Sequence, residues 1–184
     1  FHTYYIALGS NLGDTFKNLQ QAVDYIFEEI GATTKISAVY NSPALGFEGA
    51  DFKNAVLELK SNRTPQEVLR LLLAIETKMG RERTPQTGYE SRIIDLDILF
   101  CDNLHVTTDN LQIPHPEIPN RRFVLEPLQD VAAEFTHPIL KRSPKQLIES
   151  TPDTSKLTRI DEKLYNPIKE YPIQDLSYLV IEGN

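Results

Sequence analysis

The stretch RIIDLDILF, residues 92–100, decides the fold. Its branched and aromatic residues are typical of a buried β-strand, yet Asp95 and Asp97 stand in its middle. Side chains alternate along a strand, so both aspartates are expected on one face and the core on the other. The predicted core face carries Ile94, Leu96, Ile98 and Phe100. Carboxylates roughly 6.6 Å apart on one face repel each other, so a positive charge is expected beside them.

Outward from this stretch, the pattern predicts the order strand, helix, strand, strand, helix, strand. The other strands are predicted at YYIALG (4–9), TKISAVYNS (34–42) and FKNAVLELK (52–60). Helices are predicted over about residues 15–30, with Asp14 as N-cap, and from Pro65 to near Gly80. This order predicts an α+β, ferredoxin-like βαββαβ fold with one antiparallel sheet and helices on one face.

Three smaller features complete the predicted fold. A short hairpin is expected through Asp102 and Asn103, and a further short helix near Arg121 or Arg122. Beyond about residue 150 the chain turns polar and loses its periodicity, which predicts a C-terminal extension. The main domain is expected over residues 1–149.

Composition excludes several classes of function. The chain of 184 residues is 40% hydrophobic and carries a net charge of −7, so broad binding to nucleic acid or an anionic membrane is not expected. No apolar run approaches the ~20 residues that cross a bilayer. A single cysteine and the lack of a signal-peptide pattern predict a cytoplasmic protein.

Arginines gather near the two aspartates in sequence. Between Met79 and Leu140 there is no lysine, but there are five arginines, Arg81, Arg83, Arg92, Arg121 and Arg122. These could be solvated surface charges, and the aspartates could be solvent-facing or paired with Arg92 and Arg83. Taken together, however, carboxylates that suit Mg²⁺ and guanidinium groups that suit phosphate are the groups that phosphoryl transfer requires.

Several motifs in combination are similar to one family. YIALGSNLGD (5–14), SPALG (42–46), DFKNAV (51–56), GRER (80–83), SRIIDLDILF (91–100) and IPHPEIPNRRFVLEPL (113–128) resemble the 6-hydroxymethyl-7,8-dihydropterin pyrophosphokinases of folate biosynthesis. The resemblance covers about residues 4–149. It implies transfer of pyrophosphate from ATP to the pterin hydroxymethyl group, with Mg²⁺ and release of AMP, on a ferredoxin-like fold. ATP and a reduced pterin are the implied small-molecule substrates.

The resemblance also implies roles for individual residues near the phosphates. Asp95 and Asp97 match the aspartates that hold two Mg²⁺ ions, and the implied catalytic arginines are Arg81, Arg83 and Arg92. The implied ATP contacts are Glu76, Ile98, His115 and Arg121. In the loop before the metal-binding strand, Tyr89 is present where many members have a tryptophan and further basic residues.

For the pterin, the resemblance implies a second group of residues. Phe52 and Phe123 match the aromatic pair that sandwiches the ring, and Asn54 matches the side chain that pairs with its amide edge. Ser42 and the backbone of Leu45 are expected to add hydrogen bonds.

Two other functions are compatible with the residues themselves. A nucleotidyl transferase of the ferredoxin-like palm type also uses strand-borne aspartates and two metals, but it releases pyrophosphate. A non-catalytic ferredoxin-like ligand-binding module would leave the aspartates as ordinary surface charges.

The C-terminal residues carry a separate expectation. LSYLVIEGN (176–184) faintly resembles the first strand and loop of a deoxynucleoside kinase, and a terminal strand docked on the sheet is the alternative. We therefore expect that residues 150–175 are a linker or extension and that residues 176–184 begin a second, covalently fused nucleoside kinase domain.

Overall fold

The computed structural model describes residues 1–44, 49–80 and 92–170. Its strands in chain order are β1 (His2–Ser10), β2 (Ala32–Ile36), β3 (Val39–Ser42), β4 (Phe52–Ser61), β5 (Asp95–Cys101), β6 (Val106–Thr107), β7 (Gln112–Ile113) and β8 (Thr158–Ile160). Its helices are α1 (Thr15–Glu29), α2 (Pro65–Lys78), α3 (Arg122–Ala132) and α4 (Pro144–Ser150), with 3₁₀ turns at Ile118–Asn120 and Pro167–Glu170. The predicted order and the ferredoxin-like α+β fold are confirmed.

The two long helices begin where their capping residues predict. Asp14 accepts a hydrogen bond from the backbone N–H of Lys17 and starts α1. Thr64 and Glu67 form a capping box at α2, and Pro65 occupies its first turn. Helix α2 ends before Gly80, whose φ of +94° suits glycine.

The main sheet has the order β5-β1-β4-β3-β8, and β2 pairs with the other half of β4 beside β3. All its pairings are antiparallel. The strand predicted over 34–42 is therefore two strands. The break falls at Ser37, whose hydroxyl accepts a hydrogen bond from the Val56 N–H and donates one to the Ala38 carbonyl.

Helices cover both faces of this sheet, so the prediction of helices on one face is wrong. Helices α1 and α2 pack on one face with the alternate residues Tyr4, Ile6 and Leu8 of β1. Helices α3 and α4 pack on the opposite face, where Tyr5 joins their cluster. Both sets of β1 side chains are apolar, which is typical of a strand buried on both sides.

A β-bulge in β5 corrects the predicted faces of this strand. Tyr5 pairs with Phe100 and Ile6 with Ile98, so Leu99 is an extra residue between them. Leu96 and Ile98 face α1 and α2 as predicted. Beyond the bulge the alternation restarts, and Phe100 packs instead in the α3 and α4 cluster beside Leu99.

The turn at Asp102 is present, but the hairpin lies further on. Asp102 adopts a φ of +49° and accepts hydrogen bonds from the Thr3 N–H and the His2 ring. Within the described chain, β5 pairs only with β1, and the hairpin that follows is formed by β6 with β7.

The described part of the C-terminal extension packs against the domain. Strand β8 pairs with β3, Leu164 is buried in the α1 and α2 cluster, and Tyr165 exchanges two hydrogen bonds with the side chain of Gln20. Residues 176–184 lie outside the described residues. None of the described helices has the length and apolar character needed to cross a membrane.

Candidate active site

A cleft of about 710 Å³, counting the open solvent at its mouth, lies over the end of the sheet where β1, β4 and β5 meet. Asp95 pairs with Gly9 across the strands, and Asp97 pairs with Ala7. Because β1 has its two smallest side chains opposite the carboxylates, the floor of the cleft lies open beside them. A Cβ atom on Gly9 would lie 3.2 Å from Oδ1 of Asn54, so glycine is also needed to leave room for that amide.

One of the two carboxylates has a positively charged neighbour, as predicted, and the other faces a histidine ring. Arg92 Nη1 lies 3.1 Å from Asp95 Oδ2. The predicted pairing of an aspartate with Arg92 is therefore present. His115 Nε2 lies 4.0 Å from Asp97 Oδ2. The side chains of Asp95 and Asp97 are 28% and 40% exposed, so both are accessible to a ligand in the cleft.

Backbone contacts orient the His115 ring towards Asp97. The His115 N–H donates to the Leu99 carbonyl, and ring Nδ1 accepts a hydrogen bond from the Glu117 N–H at 3.1 Å. A neutral ring that accepts at Nδ1 carries its proton at Nε2, the nitrogen that faces Asp97. Burial and then the positive charge of Arg121 lower the pKa of His115, which favours this neutral form.

On the far side of the cleft, four of the five residues predicted to bind the pterin come together. Asn54 Nδ2 donates a hydrogen bond of 2.7 Å to Ser42 Oγ, and both side chains are buried. Phe52 and Phe123 line the same cleft from β4 and α3. A polar amide edge and two aromatic side chains therefore line one cleft.

The first turn of α3 contributes both Arg121 and Phe123. The Arg121 guanidinium carbon lies 5.8 Å from the centre of the Phe123 ring, within reach of a cation–π contact. Its Nε lies 4.0 Å from Glu117 Oε2. Arg121 therefore adds a second guanidinium group to the cleft beside Arg92.

Asn11 is a site residue that the sequence prediction missed. Its Oδ1 accepts a hydrogen bond from the Arg92 N–H, its N–H donates to the Arg92 carbonyl, and its Nδ2 donates to the Ala50 carbonyl. Asn11 thus ties the end of β1 to the chain just before β5 and to the chain just before β4. The only available signal was an asparagine in the GSN turn, which ordinary turn chemistry also explains.

Of six further predicted residues, two are described and do not line the cleft. Glu76 is 1% exposed, and its Oε2 accepts the backbone N–H of Leu96 at 2.8 Å, between the two aspartates but behind the strand. Ile98 is buried in the α1 and α2 cluster. Their nucleotide contacts stay predictions. The other four, Leu45, Arg81, Arg83 and Tyr89, lie outside the described residues.

Elsewhere in the described chain, one group of potential metal ligands lies at the other end of β1 and β5. His2, Cys101 and Asp102 bring their ligand atoms within 4.8 Å of one another. The His2 ring and Asp102 already form a 2.7 Å ion pair, and the Cys101 thiol is buried in the core.

A family model decides between the possible functions of the chain. Residues 5–133 match the model for 7,8-dihydro-6-hydroxymethylpterin-pyrophosphokinase, or HPPK. The chain belongs to the HPPK family. As an HPPK it is an ATP-using diphosphotransferase of folate biosynthesis, which transfers pyrophosphate from ATP to 6-hydroxymethyl-7,8-dihydropterin.

Two similar proteins illustrate how HPPK domains occur. The chain is 39% identical over 132 residues to the 2-amino-4-hydroxy-6-hydroxymethyldihydropteridine pyrophosphokinase of Bacillus subtilis, covering 71% of this chain and 78% of that protein. It is 37% identical over 128 residues to the bifunctional protein FolKE of Lactococcus lactis, covering 68% of this chain but 36% of that protein.

Solved structures share the HPPK fold at low identity. The crystal structure of Plasmodium falciparum HPPK-DHPS with pteroate superposes with a TM-score of 0.67 at 16% identity. The match covers 80% of this chain and 42% of that one, so the chain spans less than half of that structure.

Proposed function

We propose that the cleft over β1, β4 and β5 is where ATP and the reduced pterin meet. One observation carries this assignment: carboxylates, guanidinium groups, an amide edge and two aromatic rings all face a single cleft. Asp95 on β5 and Asn54 on β4 both pair with Gly9 of the strand between them. Two strand spacings separate them, about 10 Å, a span that suits a fused bicyclic ring with its hydroxymethyl group towards the aspartates.

At the pterin end, we propose that Asn54 and Ser42 bind the amide edge while Phe52 and Phe123 stack on the ring. The donor and acceptor of the Asn54 amide match the complementary groups of a pterin. Ring stacking adds about 0.5–1.5 kcal/mol beyond burial. The predicted backbone contact from Leu45 would complete this end.

At the phosphate end, we propose that Arg92, Arg121 and the neutral His115 bind and orient the triphosphate, together with Arg81 and Arg83. Guanidinium groups pair well with phosphate oxygens and hold them without proton transfer. His115 can donate its Nε2 proton in a hydrogen bond to a phosphate oxygen. Orientation and charge neutralisation are what pyrophosphoryl transfer demands of the protein.

Asp95 and Asp97 are the proposed ligands of two Mg²⁺ ions. The residues fit this metal, because two partly exposed carboxylates project into one cleft beside the proposed phosphate site. The chemistry that Mg²⁺ supplies at such ligands is charge neutralisation on phosphate oxygens and orientation of the attacking hydroxyl. Arg92 pairs with Asp95, so its guanidinium would lie beside a metal ion held by that carboxylate.

The test is product analysis. The full chain is incubated with ATP, Mg²⁺ and 6-hydroxymethyl-7,8-dihydropterin, and the products are separated by chromatography. We expect AMP and the pterin diphosphate in equal amounts. Release of pyrophosphate would indicate the nucleotidyl transferase instead, and no product from folded protein would favour the ligand-binding module.

We also propose the domain organisation and location predicted above. The catalytic domain is residues 1–149, residues 150–175 are an extension, and residues 176–184 begin a fused nucleoside kinase domain. Fusion to another enzyme has a parallel in the bifunctional Lactococcus lactis protein. The free, buried thiol of Cys101 is compatible with a reducing, cytoplasmic location. Reading the native frame beyond Asn184 tests the fusion: Gly-Lys-Ser or Gly-Lys-Thr is expected about three residues later, whereas a stop codon would refute it.

A further inference from the structure

Helix α3 has no capping side chain of its own, although its first turn carries two cleft residues. In the other three described helices the N-cap residue, Asp14, Thr64 or Ser143, accepts a hydrogen bond from a backbone N–H of the first turn. At α3 the N-cap is Arg121, which makes no such bond. A guanidinium group has only donors, so the first N–H groups of α3 need an acceptor from elsewhere.

Asp153 provides an acceptor from 31 residues further along the chain. Its Oδ2 accepts a 2.8 Å hydrogen bond from the backbone N–H of Arg122, the first residue of α3. Its backbone carbonyl accepts a second bond, from Arg122 Nε at 3.0 Å. A carboxylate at this position also complements the positive end of the helix dipole. Asp153 therefore performs the part of an N-cap residue.

The Asp153 carboxylate is itself held in place. Its Oδ1 accepts hydrogen bonds from both the N–H and the hydroxyl of Ser155. Burial raises the pKa of Asp153, but the hydrogen bonds from Ser155 and Arg122 outweigh burial and lower it, so the carboxylate is ionised at neutral pH. Helix α4 brings the chain to this point, because its Leu147 is buried in the same cluster as α3.

We propose that Asp153 is a positioning residue for the transfer reaction: by capping α3 it fixes the first helical turn, and with it Arg121 and Phe123 in the cleft. The inference rests on the function proposed for the cleft. Asp153 lies beyond residues 5–133, which match the HPPK family model. The C-terminal segment thereby contributes to the geometry of the site without touching either substrate.

Three variants of the full chain test this. Asp153→Ala is expected to lower kcat/KM for the pterin about five- to thirtyfold, the range that loss of a helix cap spans. Asp153→Asn keeps an oxygen that can accept the same bond, so it is expected to stay within about threefold of the wild type. Asp161→Ala removes an exposed carboxylate of the same segment and is the matched control, with unchanged kinetics expected.

All kinetics are measured at a temperature at which circular dichroism shows every variant folded. A residue that only stabilises the fold would lower the melting temperature without changing the kcat or KM of the folded enzyme. Equal kinetics of Asp153→Ala and the wild type would therefore overturn the proposal. So would an Asp153→Asn variant as impaired as Asp153→Ala. If Asp153→Ala does not fold, Ser155→Ala replaces it. Its kcat/KM for the pterin is expected to fall two- to tenfold, and an unchanged kcat/KM would overturn the proposal.

Amide hydrogen exchange supplies a readout that does not depend on catalysis. In Asp153→Ala the amides of Arg122 and Phe123 are expected to exchange at least about tenfold faster, while those of α1 stay unchanged. Unchanged exchange at α3 would overturn the capping role. An inactive wild type would overturn the function of the cleft and the positioning role together, whereas an active wild type with an equally active Asp153→Ala variant would overturn only the latter.

Discussion

The cleft has its open floor because Gly9 has no side chain and Ala7 has a small one. These residues of β1 lie between the aspartates of β5 and the Asn54 amide of β4, on the floor that both substrates are proposed to share. Any larger side chain there would occupy the space between the two reacting ends. The small residues are therefore as much a part of the site as the charged ones.

Gly9→Ala should impair the pterin end selectively. The added Cβ would lie 3.2 Å from Asn54 Oδ1 and 3.7 Å from Phe52, so the amide must move by a few tenths of an ångström. We expect the Kd for the pterin to rise about tenfold, as a strained or lost hydrogen bond to a buried amide would produce. The Kd for ATP, measured by calorimetry on the same sample, is the internal control and should change less than about twofold. An equal rise in the Kd values of both ligands would indicate a general distortion of the cleft.

Asp97→Ala should separate catalysis from stability. Turnover is expected to fall at least about a hundredfold, as for the loss of a group that stabilises transition-state charge. The free energy of unfolding should stay unchanged or rise slightly, because one of two neighbouring like charges is removed. The control is Asp109→Ala, an exposed carboxylate in the β6–β7 turn. If Asp97→Ala unfolds the protein while the folded fraction stays active, the carboxylate is structural.

At the scale of the elements, strand β5 shows how far the sequence pattern predicts and where it fails. Alternation correctly placed Asp95 and Asp97 on one face, which lines the cleft, because regular strands repeat every two residues. It failed at Phe100, because the bulge depends on how β5 meets β1 and has no signal within β5 itself. The helix starts at Asp14 and Thr64 were predictable, since capping is local chemistry.

The contacts of Gly31 show a similar limit. Gly31 directly follows the helix predicted over about residues 15–30, and a Cβ atom on it would lie only 2.4 Å from the Lys60 carbonyl oxygen. The residue is thus needed because β4 passes directly over the end of α1. This kind of close approach between distant segments, like the Asn11 contacts to Arg92 and Ala50, cannot be read from local patterns.

Gly31→Ala should consequently be among the more destabilising glycine substitutions. Moving α1 away from β4 disturbs the close packing of the core, and we expect a loss of about 2–3 kcal/mol in the free energy of unfolding. Gly13→Ala is the comparison, because Gly13 has a φ of +78° and a Cβ there would make only an ordinary van der Waals contact, 3.7 Å from Asn18 Nδ2. Its cost should be conformational only, about 1 kcal/mol. Urea denaturation of both variants measures the difference, and a smaller loss at Gly31 would contradict the steric argument.

At the scale of the whole molecule, the extension and the domain share one core. Leu164 is 8% exposed and belongs to the cluster under α1 and α2, although it lies 31 residues beyond the end of the family match at residue 133. The loss of periodicity beyond about residue 150 predicts an extension, but its polar composition gave no sign that Leu164 is buried in the core. Hydrophobic periodicity is detected from several apolar residues in a window, so one buried side chain in a polar segment does not show in it.

Leu164→Ala should therefore destabilise the entire domain. Deleting a buried leucine side chain typically costs about 2–5 kcal/mol, and partial exposure at the edge of the core favours the lower end. We expect one cooperative urea transition with a lower midpoint than that of the wild type. The control is Leu104→Ala: Leu104 is 40% exposed, so the midpoint of this variant should stay close to the wild type. A separate early transition for the extension, with the main transition unchanged, would show that the two parts unfold independently.

The arginine at the N-cap of α3 has a consequence for any attempt to make this protein more heat-resistant. Automated stabilisation schemes favour serine, threonine, aspartate or asparagine at such positions and would replace Arg121. Arg121→Ser should indeed raise the free energy of unfolding, by about 0.5–1 kcal/mol, while kcat/KM for ATP falls tenfold or more because the guanidinium proposed to bind phosphate is gone. Thermal denaturation and steady-state kinetics on one preparation decide it. At this helix end a less stable N-cap residue supplies a side chain to the cleft. Restoring a stable cap would therefore give a protein that resists heat better but has lost much of its activity.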